Sequence, residues 1–482
     1  MLSWIDSVAI AAYFAVLLFI GIRIMRRDSG HRALGSFLAA DRNMGLVQTT
    51  ASTAATDLGG GFSIAMGGLG FTLGISGSWL IAISGLSVIM AAFLLVPRLK
   101  LWSDRTEGLT TGDLFTARFG LTAGRIAALV VALSWFSFVG GQIVAGGKLL
   151  QVTMAIDLDW AIGLAGLVII GYTMMGGLKA VIYTDVFQML VLFVGIVLLL
   201  VPIGLIKVGG VSAVIAHFEA NPSTASMVDW TAVELQRVVG WFLAVFPVWF
   251  ISIAAMQRII AARNAAIAQK AFIITGVPIE WPFFAIGATF VGMLARMLMP
   301  ELTDPELSTP MMILTLLPAG IAGIVIAAYI AAVMSTADSC LIGPVAIFTK
   351  DFYKGVWHKD ASDQTLLRVA RASTLVLGIM AIVLAYWVPS VLDMILYAYT
   401  FAAAGLFFPM LALLYWPRAT ALGAKTSMIL GGGSAVIWML LGEPWDIAAA
   451  YLGWVVGLPS LVIASLLSAH RPDENLALFE AR

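Results

Sequence analysis

The chain has 482 residues, 61% of them hydrophobic and 11% charged, whereas a soluble domain is about a quarter charged and about half apolar. That excludes a soluble enzyme, and the single cysteine, Cys340, excludes a disulfide scaffold or thiolate metal cluster. With 27 basic and 27 acidic residues the net charge is zero, so there is no basic field to hold a nucleic acid.

Apolar runs long enough to cross a bilayer, at about 20 residues each, lie at about 4–22, 47–73, 77–97, 123–150, 159–177, 181–206 and 237–256. They continue at about 272–298, 318–347, 367–388, 391–416, 420–441 and 446–468. The pattern predicts an all-α polytopic membrane protein with 13 transmembrane helices. No Lys or Arg precedes the first run, while Arg23, Arg26 and Arg27 follow it. It therefore reads as an anchored span with the N-terminus outside, not a cleaved signal, and 13 spans put the C-terminus in the cytoplasm. This topology places 23 of the 27 Lys and Arg on the cytoplasmic side, leaving Lys148, Lys207, Arg237 and Arg296 outside. The external segment 207–236 carries an amphipathic stretch at Val211–Glu219 and reads as a lid or strut. The tail after Ser468 is short and polar.

Hydrocarbon tolerates neither unpaired backbone nor unpaired charge, so violations of that rule mark function. The second run holds Asp57-Leu58-Gly59-Gly60-Gly61-Phe62. Each glycine costs a helix roughly 1 kcal/mol relative to alanine, and a mid-membrane Asp adds ~2.5–3.5 kcal/mol. Close packing through small residues explains spaced glycines, but a triplet beside a carboxylate favours a broken helix with freed carbonyls. In the ninth run Ala332, Ser335, Thr336 and Ser339 recur at i, i+3, i+4 and i+7 and share a face, with Asp338 at its flank. Hydroxyls and carbonyls make an all-oxygen site suited to a hard monovalent cation. The bland alternative is that each hydroxyl bonds a carbonyl of its own preceding turn.

In the sixth run Asp185 and Gln188 lie one turn inside the cytoplasmic boundary marked by Lys179. Asp185 is read equally as a helix-start cap and as part of an ion exit. The fourth run contributes Gln142, and the seventh Trp241, Phe246, Pro247 and Trp249, where the proline frees backbone groups. Glu280, between Pro278 and Pro282, is a buried carboxylate without an assigned role; Lys148 and Asp393 are expected to be solvated near the outer boundary. No His-Glu-x-x-His, Gly-x-Ser-x-Gly or phosphate loop is present, so the expectation is a transporter and not an enzyme.

Three segments resemble the sodium/solute symporter family: GGLKAVIYTDVFQ at Gly176–Gln188, AAVMSTADS at Ala331–Ser339 with its TKDFYK exit, and MQRIIAAR from Met256. The resemblance runs from about residue 4 to 416. It implies a leucine-transporter-like fold with two inverted five-helix repeats and broken helices. The expected division is 1–46 as first helix and cytoplasmic loop, and 47–206 as repeat one. The external loop follows at 207–236, repeat two at 237–416, and two peripheral helices with the tail at 417–482. By position, the resemblance places sodium (Na+) on the carbonyls of Ala55, Leu58 and Ala332 and the hydroxyls of Ser335 and Thr336. A second sodium or a proton would use Asp185, Asp338 and Ser339, beside Ser335; Asp338 stands where relatives have Ser. Asp57 matches the Asp of proline-transporting relatives, and substrate contacts are expected from Asp57, Gly59, Gly60, Phe62, Gln142, Phe246 and Trp249.

The resulting expectation is a sodium-coupled symporter in the cell (inner) membrane that imports a small polar solute, an amino acid such as proline being favoured. A monocarboxylate, urea-like or sugar substrate, and proton coupling, stand as alternatives. A solute sensor without net transport and an ion channel are the readings of other classes. The partners implied are sodium, the solute and the lipid bilayer, with no nucleic acid; the sequence carries no signal for oligomeric state.

Overall fold

The computed structural model describes residues 2–27, 40–175, 178–468 and 478–479. The start of the GGLKAVIYTDVFQ motif at Gly176-Gly177, the side chain of Lys179, and residues 469–477 and 480–482 of the polar tail lie outside the described set. Each apolar run is mainly helical over its described residues. In chain order these are α1 (Trp4–Arg27), α2 (Leu46–Asp57), α3 (Gly60–Leu73), α4 (Trp79–Leu94), α5 (Leu121–Met154), α6 (Leu158–Met175) and α7 (Leu178–Phe193). There follow α8 (Leu235–Val245), α9 (Ile253–Ala261) and α10 (Ala265–Ile274), which continues through a π-helical stretch Thr275–Ala285 into Ile286–Leu298. The last five are α11 (Ile321–Ile347), α12 (Asp363–Trp387), α13 (Val391–Tyr415), α14 (Ala421–Leu440) and α15 (Ala449–Leu467). Among the described residues nine helices are long and apolar enough to cross a membrane, and two shorter apolar ones are Trp4–Leu17 and Leu158–Gly171. The β-type pairing among the described residues is one bridge, Met44 to Ala262.

The bundle is built around α11. In its apolar window 83% of residues are buried, against 28% in α15, so α11 is the axis and α15 faces lipid. Small residues bring neighbouring helices together, as membrane packing requires without a hydrophobic drive between them. A Cβ on Gly70 of α3 would land on the Thr289 carbonyl, and one on Gly292 would land on the Gly67 carbonyl. Backbone therefore meets backbone between α3 and the last part of α10.

Helix ends are closed by charges of the sign that the helix dipole favours. Asp6 accepts from the N–H groups of Gly320 and Gly323 at 2.7 and 2.8 Å, where α11 begins. Arg118 donates to the carbonyls of Ala412 and Trp416 at 2.6 and 2.7 Å, and to that of Leu413, where α13 ends. Arg98 reaches the Leu414 carbonyl there and lies over the Tyr415 ring. In the segment 207–236 the expected amphipathic stretch is a helix, Val211–Glu219, with Val214 and Phe218 buried.

One expectation is corrected. Lys148 is not solvated but 4% exposed, with its ammonium 2.6 Å from Glu306 and 2.7 Å from Asp304. Glu306 in turn accepts from the N–H groups of Val391 and Leu392, at 3.0 and 2.9 Å, at the start of α13. The helix N-terminus, the carboxylate and the ammonium form a chain that makes burial of the lysine tolerable; it links α5, the segment before α11, and α13. Asp393 is exposed, as expected. Lys148→Met is expected to destabilise the protein by about 3 kcal/mol, because it strands a buried carboxylate. Adding Glu306→Gln should recover part of the loss, read as thermal unfolding in detergent.

Candidate functional site

The second run is broken where the glycines stand. α2 ends at Asp57 and α3 starts at Gly60, and Gly59 between them has φ −23° and ψ 158°. Neighbouring side chains satisfy the carbonyls that the break frees: the Ser63 hydroxyl donates to Leu58 O at 3.0 Å, and the Thr336 hydroxyl to Ala55 O at 3.2 Å. The glycines serve packing as well. A Cβ on Gly59 would strike the Thr336 side chain, one on Gly60 the Tyr329 carbonyl and Val333, and one on Gly61 the Gln142 amide. Gly59 and Gly60 thus let α11 approach the break closely. The two readings of the triplet are both realised at once.

The seventh run is interrupted twice. α8 stops at Val245 and a single turn, Val248–Ile251, follows Pro247. The chain then turns extended at Ser252 (ψ 128°), whose hydroxyl accepts from the Ala255 N–H to start α9. Pro247 has no N–H for the Leu243 carbonyl, and Trp454 Nε1 supplies the donor instead at 3.1 Å. The Ser87 hydroxyl donates to the Phe246 carbonyl. The extended residue lies five positions beyond the proline, a displacement set by the Ser252 cap.

The residues expected for the main sodium site are brought together in part. Thr336 of α11 meets Ala55 of α2, while the Ser335 hydroxyl donates to Ala332 O at 3.1 Å. The bland reading of the hydroxyls therefore describes Ser335 and not Thr336, which reaches across to the broken helix. All are buried, and every donor atom is oxygen, the set that a hard monovalent cation takes.

Asp185, Ser339 and Asp338 lie further along. Asp185 is fully buried two turns inside α7, too deep for the cap role, so that alternative falls. Its carboxylate is 3.3 Å from the Arg258 guanidinium and 2.5 Å from the Ser52 hydroxyl. Arg258, 1% exposed, also donates to Ser52, Thr56 and Ser339 at 3.1, 2.6 and 2.8 Å. Asp338 accepts from Thr173, and its other oxygen has no donor among the described residues. Sequence reasoning missed Arg258, Ser52, Thr56 and Thr173. Ser52 and Thr56 were findable, since their i, i+4 spacing puts both on the α2 face that carries the carbonyls. Arg258 looked like one more cytoplasmic boundary charge.

The expected substrate residues divide into three groups. Asp57 accepts from Trp249 Nε1 at 3.1 Å and from Ser84 at 3.1 Å, and the Glu280 carboxyl lies within hydrogen-bonding reach of it. Gln142, fully buried, accepts from the Gly61 N–H at 3.1 Å, and Phe62 faces Tyr399, which stacks on Phe138. Phe246 is drawn into a third cluster with Phe242, Phe250 and Phe407.

The chain is 28% identical over 458 residues to Sodium/proline symporter 2 of Staphylococcus saprophyticus, covering 92% of this chain and 87% of that one. It is 25% identical over 491 residues to the osmoregulated proline transporter OpuE of Bacillus subtilis, covering 98% and 96%. A Na+-coupled sialic acid symporter, solved substrate-bound and outward-open, shares the fold with a TM-score of 0.76 at 22% identity, covering 98% of this chain and 99% of that one. A nucleobase-cation-symport-1 family transporter in a closed conformation shares it with a TM-score of 0.57 at 13% identity, covering 92% and 98%. The family model for the sodium:solute symporter family matches residues 37–431, most of the length that builds the bundle and both helix breaks, and the chain belongs to that family.

Proposed function

We propose that this protein is a sodium-coupled symporter that imports a small amino acid, proline or a near relative of it, across the cell membrane. The observation that carries the reading is the meeting of the α2–α3 break with α11, where the Thr336 hydroxyl reaches the Ala55 carbonyl. Sodium is the coupling ion and travels with the solute as cargo. It binds the carbonyls of Ala55, Leu58 and Ala332 and the hydroxyls of Ser335 and Thr336, replacing the Thr336–Ala55 hydrogen bond with ion–oxygen contacts. The solute lies beside it, against Asp57, Phe62, Gln142 and Trp249, at the level of both breaks. Gly59 and Gly60 serve it indirectly, by bringing α11 to the break, and Phe246 closes the aromatic wall just past the end of α8.

The remaining parts of the reading are of the same kind. The chain crosses the membrane 13 times, with the N-terminus outside and the C-terminus in the cytoplasm. Two inverted repeats, 47–206 and 237–416, flank the external loop 207–236. Residues 1–46 precede them, and 417–482 add two peripheral helices and the tail. Interruptions in corresponding helices, α2–α3 and α8–α9, support the repeat. Asp185, Asp338 and Ser339 are the cytoplasmic station of the ion path. An ion reaching it displaces the Arg258 guanidinium from Asp185 and Ser339.

The driving force suffices. One sodium ion gains ~2.3 kcal/mol through 100 mV, and a tenfold gradient adds ~1.4 kcal/mol. Together these sustain roughly a few hundredfold accumulation of a neutral solute.

Purified protein in liposomes is expected to take up L-proline with an inward sodium gradient and not with potassium or choline. Ser335→Ala with Thr336→Ala should lower sodium-dependent uptake at least ~10-fold, equivalent to about 1.4 kcal/mol; unchanged uptake sinks the sodium assignment. A second outcome concerns the buried ion pair. Asp185→Asn leaves the Arg258 charge uncompensated and is expected to cost about 3–5 kcal/mol of stability. Combining it with Arg258→Met should return most of that in a detergent unfolding assay.

A further inference from the structure

Glu280 sits in the π-helical stretch Thr275–Ala285 of α10, between Pro278 and Pro282. Its neighbours Val277, Trp281 and Phe283 face outward, whereas Glu280 is completely buried. It points at Asp57, the last residue of α2 before the break, and room for it depends on Gly85 of α4, where a Cβ would stand 3.3 Å from Glu280 Oε2. Four elements thus converge on one pair of carboxyls: α2 with Asp57, α4 with Ser84, the turn after Pro247 with Trp249, and α10 with Glu280.

Among the described residues no Lys or Arg pairs with either carboxyl. Asp57 receives the Ser84 hydroxyl and the Trp249 N–H, but among the described residues neither oxygen of Glu280 receives a hydrogen bond from an N–H or hydroxyl group. Arg258, the basic residue that α9 buries, directs its guanidinium to Ser52, Thr56, Asp185 and Ser339 instead. Each carboxylate at this depth costs ~2.5–3.5 kcal/mol on the insertion scale, and buried acids are kept where a cation meets them. A second orphan reaches the break from α5, at Gly61, four residues past Asp57. Gln142 spends its oxygen on the Gly61 N–H, while its Nε2, also fully buried, has no acceptor among the described residues. That amide nitrogen stands at the start of α3, where helix polarity favours a negative group.

We infer that Glu280 and Asp57 together hold the ammonium group of the transported solute, one N–H to each carboxylate, and that the Gln142 amide receives its carboxylate, so that the site selects zwitterions bearing at least two ammonium hydrogens. This rests on the symporter reading above and names the solute chemistry of that same site. Glu280 is then a specificity-determining residue: it adds the second acceptor, which a quaternary amine cannot use and a deaminated analogue cannot reach.

The test is thermal stability of the full-length protein in detergent, wild type and Glu280→Gln, first across a sodium series and then at saturating sodium with four probes. The probes are L-proline, glycine, N,N-dimethylproline, which has no N–H, and cyclopentanecarboxylate, which has no amine. Binding to the native state raises the midpoint by an amount that grows with the logarithm of ligand concentration over its dissociation constant. In wild type, L-proline or glycine is expected to raise it, and the two analogues lacking N–H should bind at least ~10-fold more weakly, or about 1.4 kcal/mol. Glu280→Gln should weaken the amino acid by a similar factor and leave the sodium midpoint unchanged. Glu280→Asp, which keeps the charge, should fall between the two and stands in if the Gln variant does not fold.

A sodium midpoint that moves with Glu280→Gln as far as the amino-acid midpoint overturns the inference, since the pair would then serve the ion. Equal binding of N,N-dimethylproline or cyclopentanecarboxylate also overturns it, while sodium-coupled binding itself stands. A wild type that shows no sodium-dependent shift with any probe counts against the symporter reading, and the inference falls with it.

Discussion

Every backbone amide and carbonyl inside the bilayer must find a partner within the protein, and the site depends on how that requirement is met at two interrupted helices. At the α2–α3 break the partners are the hydroxyls of Ser63 and Thr336. At the α8–α9 interruption they are the Trp454 indole, the Ser87 hydroxyl and the Ser252 cap. Each partner comes from a neighbouring turn or helix, so helix ends can exist at depth only because the surrounding bundle supplies donors. A carbonyl held by a single hydroxyl exchanges that partner for an ion at little cost, which supports the proposed placement of sodium at the break.

Buried charge is distributed in three clusters with different balances. At one end, Lys148, Glu306 and Asp304 form a chain that continues into the amides starting α13. At the other, Arg258 is shared among Asp185 and the hydroxyls of Ser52, Thr56 and Ser339. Both contain their own cation. Between them lies the Asp57–Glu280 pair, with two carboxyls and two neutral donors. Such an arrangement suits the proposed transport: the flanking clusters hold helices together, and the central one is left for the cargo to complete in the reading proposed above. The same contrast explains the distribution of glycines, which are tightly packed where α11 meets the break and where α3 meets α10.

Much of this was legible in the chain itself. Long apolar runs and the bias of Lys and Arg toward alternate connections determined a polytopic helical protein, because lipid accepts few other solutions. The Asp57-Leu58-Gly59-Gly60-Gly61 segment declared its own interruption, since no packed helix tolerates it without a reason. Ser335 and Thr336 within the family-like AAVMSTADS motif marked the α11 face that meets the broken helix.

Partnerships between distant residues were decided by the tertiary structure alone. Lys148 read as a boundary lysine, and its burial depends on Glu306, 158 positions away. Asp185 read equally as a cap or an ion ligand until Arg258, 73 positions away, was placed against it. Glu280 had no reading at all, because its meaning comes from Asp57 on another helix. Composition and periodicity report what each segment must do with lipid and water, which is a local demand. The balance of a buried charge is a property of whatever folds against it, so it becomes visible only when the helices are assembled.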